Sequence, residues 1–325
     1  MSHILVGTLG AALVLVTWLS IIRTVFTPRE RSSLLARCVV RVTATAIRQP
    51  ARLAHHGLRE RLLDYTAPLS LILTGLAWVG SGTGGFALLA WSTQGVPLSA
   101  GSLAAFFLMR SDGVGLAAVA ALSAAFMLSS FNAHLIGVLV AYARREGPVA
   151  RLAAQATQSP DAEVVLADYL RTGSRDHLDS MFGEWSAWLA DVQTSHMSYP
   201  AMPYFRPMSG LCWAKAALIV LDCAAIAEAA APGWAPPNTR PLLAIGSYCL
   251  PRLAAQMGER ESLSPVSYHG RETRPFADTF GLAVKAGLPA QRDKVNAEAA
   301  FQQIRIKYAP YVIALGDRLL FDEVA

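Results

Sequence analysis

Three long stretches without a single charged side chain constrain this chain more than any other feature. Ile4–Ile22, Ala67–Trp91 and Ala117–Tyr142 contain no Asp, Glu, Lys or Arg. At about 1.5 Å of rise per residue, each is long enough as a helix to cover a hydrocarbon core of about 30 Å. Ordinary soluble domains carry about 25% charged residues. This chain of 325 residues has 16%, and its mean hydropathy is +0.36. That balance excludes a disordered chain. It predicts an all-α, multi-pass membrane protein with a water-soluble helical portion. A cleaved signal sequence is the competing reading of the first stretch. The basic residues follow that stretch instead of preceding it, so a retained helix is expected.

The charge between the first two stretches orients them. Nine arginines (23, 29, 31, 37, 41, 48, 52, 59 and 61) lie there among few acids. A juxtamembrane arginine cluster marks the cytoplasmic side and suits anionic lipid headgroups. This reading is favoured over nucleic acid, although the net charge is +5. The expected organisation is a first span at 1–22 and an Arg-rich cytoplasmic linker at 23–65. A second span, a half-helix and an inner helix follow at 66–146, and a cytoplasmic helical domain fills 147–325. The N-terminus is then outside and the C-terminal domain cytoplasmic, in the cell membrane. The third stretch ends in Ala143-Arg144-Arg145-Glu146, which fits that orientation. Gly75, Gly80, Gly82, Gly84 and Gly85 in the second stretch suit either close helix approach or a flexible outer end.

Between the second and third stretches lies Ser102–Met109, too short to cross a bilayer as a helix. Non-helical backbone next to such a piece is tolerated only where protein or a water-filled cavity surrounds it. The segment that follows reads Arg110-Ser111-Asp112-Gly113-Val114-Gly115-Leu116. Potassium-channel filters line an axis with the backbone carbonyls of a Thr-x-Gly-x-Gly strand. Ser111, Asp112, Gly113, Val114 and Gly115 overlay that pattern, with Ser in place of Thr. The competing reading is a simple turn.

Here the sequence resembles a bacterial two-span potassium-channel-like family with a helical cytoplasmic domain. Ser195-His196-Met197-Ser198-Tyr199-Pro200 through Tyr204-Phe205-Arg206 resembles that group's Ser-His-x-Ser-Tyr-Pro…Tyr-Phe-Arg signature. Glu184-Trp185…Trp188, Leu221-Asp222 and the stretch Tyr308-Ala309-Pro310-Tyr311-Val312…Ala314-Leu315…Leu319-Leu320 fit as well. The resemblance implies a pore domain assembled as a homotetramer, conducting cations across the plasma membrane. The sequence also departs from the family. Leu116 stands where the family has an acid, the outer loop is shorter, Asp112 sits inside the filter-like segment and Arg110 just before it. Four Arg110 side chains around one axis would repel cations. A degenerate filter is therefore expected. The alternatives are a non-conducting scaffold or accessory subunit that binds a protein partner, and a membrane-associated enzyme.

Asn132 and His134 are polar residues inside the third stretch. They read either as lining an inner cavity or as an interhelical hydrogen bond. His196 with Ser195 or Ser198 offers a base and a nucleophile, but adjacent residues rarely face each other and no GxSxG elbow is present. Tyr199, Tyr204 and Arg206 suit an anionic ligand or, preferably, a turn between helices. Asp176, His177 and Asp179 read as a solvated helix face. No HExxH, Asp-rich metal motif or phosphate loop occurs, so neither a metal nor a cofactor is expected. Cys38, Cys212, Cys223 and Cys249 match no zinc spacing and are expected as free thiols.

In the C-terminal part, Ser159-Pro160-Asp161 opens a helix to Leu170. A second helix starts near Ser174 with an apolar stripe at Leu178, Met181, Phe182, Trp185, Leu189 and Val192. Leu211–Ala231 is apolar enough for a fourth span but carries Lys215, Asp222 and Glu228. It is read as a buried helix of the bundle. Thr239–Met257 is expected as a helix interrupted at Pro251, 258–281 as a loop, and Asp293–Phe321 as one last helix.

Overall fold

The apolar runs form helices, in which each run's backbone groups pair within itself, and their long apolar faces pack on one another. The computed structural model describes residues 2–27, 33–109, 114–155, 161–258 and 276–321. Among the described residues helices are joined by turns and loops, and there are no strands. Three helices are long and apolar enough to cross a membrane. They are α1 (Ser2–Ile21), extended by a π-turn at Ile22–Phe26, α4 (Thr66–Gln94) and α6 (Val114–Gln155). Between them lie α2 (Leu34–Leu53), α3 (His56–Asp64) and the short α5 (Ala100–Phe107). The rest forms α7 (Ala162–Thr172), α8 (Arg175–Ser198), α9 (Trp213–Ala230) and α10 (Thr239–Gln256). Then come α11 (Phe276–Lys285), α12 (Lys294–Arg305) and α13 (Ala309–Leu319).

The chain divides into two compact units. The first takes Met1–Ala141 together with Met197–Phe205, and the second Tyr142–His196 with Arg206–Ala325.

In the first unit α1 packs along α4. A Cβ on Gly85 would sit 2.7 Å from Val14 Cγ2 and 2.9 Å from the Gly10 carbonyl oxygen. Hydrogen at these positions is what lets the two backbones approach. Of the two readings of the glycine series, Gly85 therefore serves close approach, while Gly80 faces open space. Thr17 and Ser81 lie 2.8 Å apart across this seam, and the Trp78 indole donates to Ser20 Oγ at 3.1 Å. The α6 helix joins through Trp18 stacked on Phe126 and Trp78 edge-on to Phe131. Ile4, Leu9, Leu15, Leu76, Leu122 and Ile136 remain exposed around these helices.

The expected linker is largely helical. Ser33 caps α2, accepting from the Ala36 amide. The buried side of α2 is small (Ala36, Val40, Thr43, Ala44 and Ala51), and it packs on α4.

The second unit is built around α9. Nearly every residue of that helix is buried, wrapped by α7, α10, α12 and α13. A helix apolar on all sides has to be enclosed by protein or lipid; here it is enclosed by its own bundle. The predicted stripe of α8 is buried in full, joined by Trp188 and His196.

Four expectations need correction. Pro251 does not interrupt α10; the helix runs through it, held by buried Leu250, Leu253 and Ala254 on either side. The last helix is two, because Pro310 lacks an amide proton and sits in the first turn of α13, and Tyr308 leaves helical geometry. Residues 276–281 are helical, in α11; 259–275 lie outside the described residues. Finally, α7 starts at Ala162 with Asp161 at its N-cap, making Glu163 the first-turn acid.

Candidate functional site

Residues between α4 and α6 offer the first candidate. Ser99 opens α5 by accepting from the Ser102 amide. Phe106 is fully buried at the other end of this short helix, in a cluster with Phe86 and Ala90 of α4 and Ala117 and Ala120 of α6. Val14, Leu89, Val96, Phe107 and Leu116 close around it. The small residues of α4 and α6 leave the space that the phenyl ring fills. An eight-residue helix is thereby held between two long ones.

Of the five filter-like residues, Ser111, Asp112 and Gly113 lie outside the described residues, as does Arg110. Val114 and Gly115 are helical, in the first turn of α6. That corrects their expected place in an extended strand. With the outer loop shortened, α6 begins where a filter would still be extended.

Asn132 and His134 do not share a face. Residues two apart on a helix point about 200° away from each other. His134 is buried, with its ring 5.8 Å from Trp78 and 5.5 Å from Tyr199. Asn132 is exposed on the opposite side. The expected common lining of a cavity is therefore corrected: His134 packs within its own unit. Tyr199 reaches it because Gly137 has no side chain; a Cβ there would lie 2.5 Å from the phenol oxygen.

The Ser-His signature is divided. Tyr199 and Tyr204 belong to the first unit, and His196 and Arg206 to the second. Tyr204 ends a 3-10 turn, Met202–Tyr204, that packs against α4. Arg206 spends its guanidinium on a helix end, donating to the Leu319 carbonyl at 3.2 Å and the Leu320 carbonyl at 3.0 Å. It also lies over the Phe321 ring, 4.7 Å from its centroid. Terminal carbonyls of α13 are satisfied in this way, and a cation suits that end of the helix dipole. Arg206 thus follows the turn-fixing reading.

His196 is completely buried. Its Nδ1 lies 2.7 Å from the Val192 carbonyl oxygen and so carries the proton, leaving Nε2 unprotonated; the imidazole ring centroid is 4.7 Å from that of Trp213. Burial, with Arg145 nearby, holds its pKa well below the usual imidazole value. A group depressed in this way is neutral in the folded state and takes up a proton only on unfolding. Stability should then be full above about pH 6.5 and fall by up to about 1.4 kcal/mol per pH unit below it. His196→Asn keeps the bond to Val192 and removes the titration. Its melting temperature should decline less between pH 6.5 and 5 than that of the parent; equal slopes would reassign the dependence.

A buried polar cluster on α9 and at the end of α12 was not assembled by sequence reasoning. Asp222, on α9, receives Arg305 Nε at 3.2 Å and the Tyr308 hydroxyl at 2.6 Å. Burial pushes the Asp222 carboxyl up, with Arg305 and Tyr308 pulling it back. The Tyr308 phenol is pushed well up by burial and by the neighbouring carboxylate. Asp222 and Tyr308 stand in stretches that carry the family resemblance, but nothing in their spacing pairs them with each other or with Arg305. Arg145 is likewise no solvated flank: it is buried, bonded to Glu146 at 2.9 Å, while Trp188 donates to its carbonyl. Asp179 is corrected in the same sense, since it accepts from the backbone and side-chain amides of Asn238.

Two clefts open beside α7. One, of about 400 Å³, is lined by Asp168, Tyr169, Thr172 and His177. The other, of about 110 Å³, is lined by Arg151, Glu184 and Trp185. Among the described residues no group of three His, Cys, Asp or Glu side chains is placed to hold a metal ion. All four cysteines are free, and only Cys38 is exposed.

Fold and site together define a helical protein with, among the described residues, three helices able to cross a membrane by length and composition. No protein-family model, curated protein or solved structure matches the chain.

Proposed function

We propose that this is a multi-pass membrane protein of pore-domain type with a degenerate filter, resembling bacterial two-span potassium channels. One observation carries the reading: α5, too short to span, is anchored by Phe106 between α4 and α6. A half-helix held between two spans is the arrangement that brings its following loop to a shared axis in a channel. In this reading α1, α4 and α6 cross the plasma membrane, with Arg23–Arg61 on the cytoplasmic side and a homotetramer around the axis. Ser111–Gly113 would contribute carbonyls there. A second reading, a non-conducting scaffold, draws on Arg110, whose charge suits a cation path poorly.

Electron microscopy of the detergent-solubilised protein tests the proposal. A fourfold particle with 111–113 at its axis is expected, and cation flux in liposomes then separates the two readings. A monomer or dimer would overturn the pore reading outright.

A further inference from the structure

The helix between the first two apolar helices has three distinct sides. Its small residues face α4, as described. Arg37, Arg41, Arg48 and Arg52 are spaced by four, seven and four residues, which places them within about 60° of one another at about 100° per residue. A third side, a further ~130° round by the same spacing, presents Val42, Ala46 and Leu53. Val42 is 63% exposed and Leu53 91%. No acid occurs on α2; the nearest that follow it, Glu60 and Asp64, are on α3.

This combination is specific. A helix that only faced water would not expose Val42 and Leu53 beside its arginines. A site for free phosphate would have no use for an apolar side. Arginines flanking an exposed apolar stripe are what an interfacial helix presents to a lipid layer, cations to the phosphates and apolar groups to the acyl boundary.

The position of α2 agrees. Its cap residue Ser33 lies 2.9 Å from both Ser20 and Thr24 hydroxyls, so the helix starts at the end of α1. The side of α4 turned away from its buried residues exposes Leu69, Ile72 and Leu73, as α1 exposes Leu15 and Leu19. Exposed apolar side chains thus occur on α1, α4 and α2 alike.

We infer that α2 is an interfacial helix that binds anionic phospholipid headgroups through the Arg37–Arg41–Arg48–Arg52 stripe, with Val42, Ala46 and Leu53 entering the acyl boundary. This rests on reading α1, α4 and α6 as spans, and it sharpens the general lipid preference of the arginine cluster to one helix and one stripe. It holds whether or not the chain conducts.

Cys38, the one exposed thiol, lies on α2 between the arginine and apolar sides and provides the probe. The full chain, labelled there with acrylodan, is reconstituted in nanodiscs of phosphatidylcholine alone or mixed with phosphatidylglycerol. Bluer emission and quenching by brominated acyl chains are expected in the mixture. Inorganic phosphate added to phosphatidylcholine discs should change nothing. Arg41→Gln with Arg52→Gln should weaken the phosphatidylglycerol preference about thirtyfold, and removing all four arginines should abolish it. Identical emission in both lipids, an undiminished preference in the double variant, or a response to phosphate alone would overturn the inference. Failure of the protein to enter nanodiscs at all would instead overturn the membrane-span reading.

Discussion

Arg305→Leu is expected to destabilise the second unit by about 3–5 kcal/mol, because it leaves the Asp222 carboxylate buried with the Tyr308 hydroxyl as its remaining close partner. Both side chains of the pair are almost out of water, 11% and 13% exposed, so solvent cannot take over the lost role. The melting temperature should fall by about 10 °C or more, read from near-ultraviolet dichroism. The deficit should shrink in acid. Burial already favours the protonated carboxyl of Asp222, and without Arg305 its folded pKa moves further above the unfolded value. Stability from such a group is present below the unfolded pKa and lost as pH rises through the folded one. The double variant Asp222→Leu/Arg305→Met should recover much of the loss, since a buried ion pair often contributes little beyond an apolar pair of similar size. A single variant that melts with the parent would show that water reaches the pair.

Trp213→Ala should cost a similar amount, about 3–5 kcal/mol, for a different reason. The indole is 1% exposed at the start of α9 and packs on the His196 ring. Truncation removes the largest side chain of the central helix and leaves a cavity that rigid neighbours cannot fill. Trp213→Phe should keep most of the stability. Chemical denaturation distinguishes them: the midpoint falls steeply for alanine and little for phenylalanine, with the slope unchanged. Equal midpoints for alanine and parent would mean that α9 is not the element around which the unit is built.

Much of the fold was legible because charge-free runs of this length have few physical outcomes. The three long helices and the short α5 follow from composition and length alone. The buried stripe of α8 follows from spacings of three and four. The Arg-rich segment was harder. Its helix-forming signal is the alternation of small residues and arginines, which a charge-based reading registers only as a basic linker. Pro310 was a legible stop signal and was read through. Pro251 was the reverse case, where burial on both sides outweighs a missing hydrogen bond.

The candidate site was less legible, since polar residues in a sequence do not announce their partners. Arg206 looks like an anion ligand until the end of α13, more than a hundred residues later, is seen to need its guanidinium. His134 and Asn132 are neighbours in sequence, yet helical rotation sends one inward and the other out. Asp222, Arg305 and Tyr308 are scattered through apolar or amphipathic text, and only folding brings them together.

The enclosure of α9 bears on how the chain can be made. Its wrapping comes from α7, translated before it, and from α10, α12 and α13, translated after it. While the ribosome is still producing α10, this most apolar of the later helices has only part of its cover. Domains tend to fold as units in the order of synthesis. The first unit differs, since α1 to α5 and the first part of α6 are complete long before α13 emerges, apart from the Met197–Phe205 segment. The second unit can close only when α13 is free, so a growing chain carries an open, alanine-rich helix that must be kept from other apolar surfaces until then.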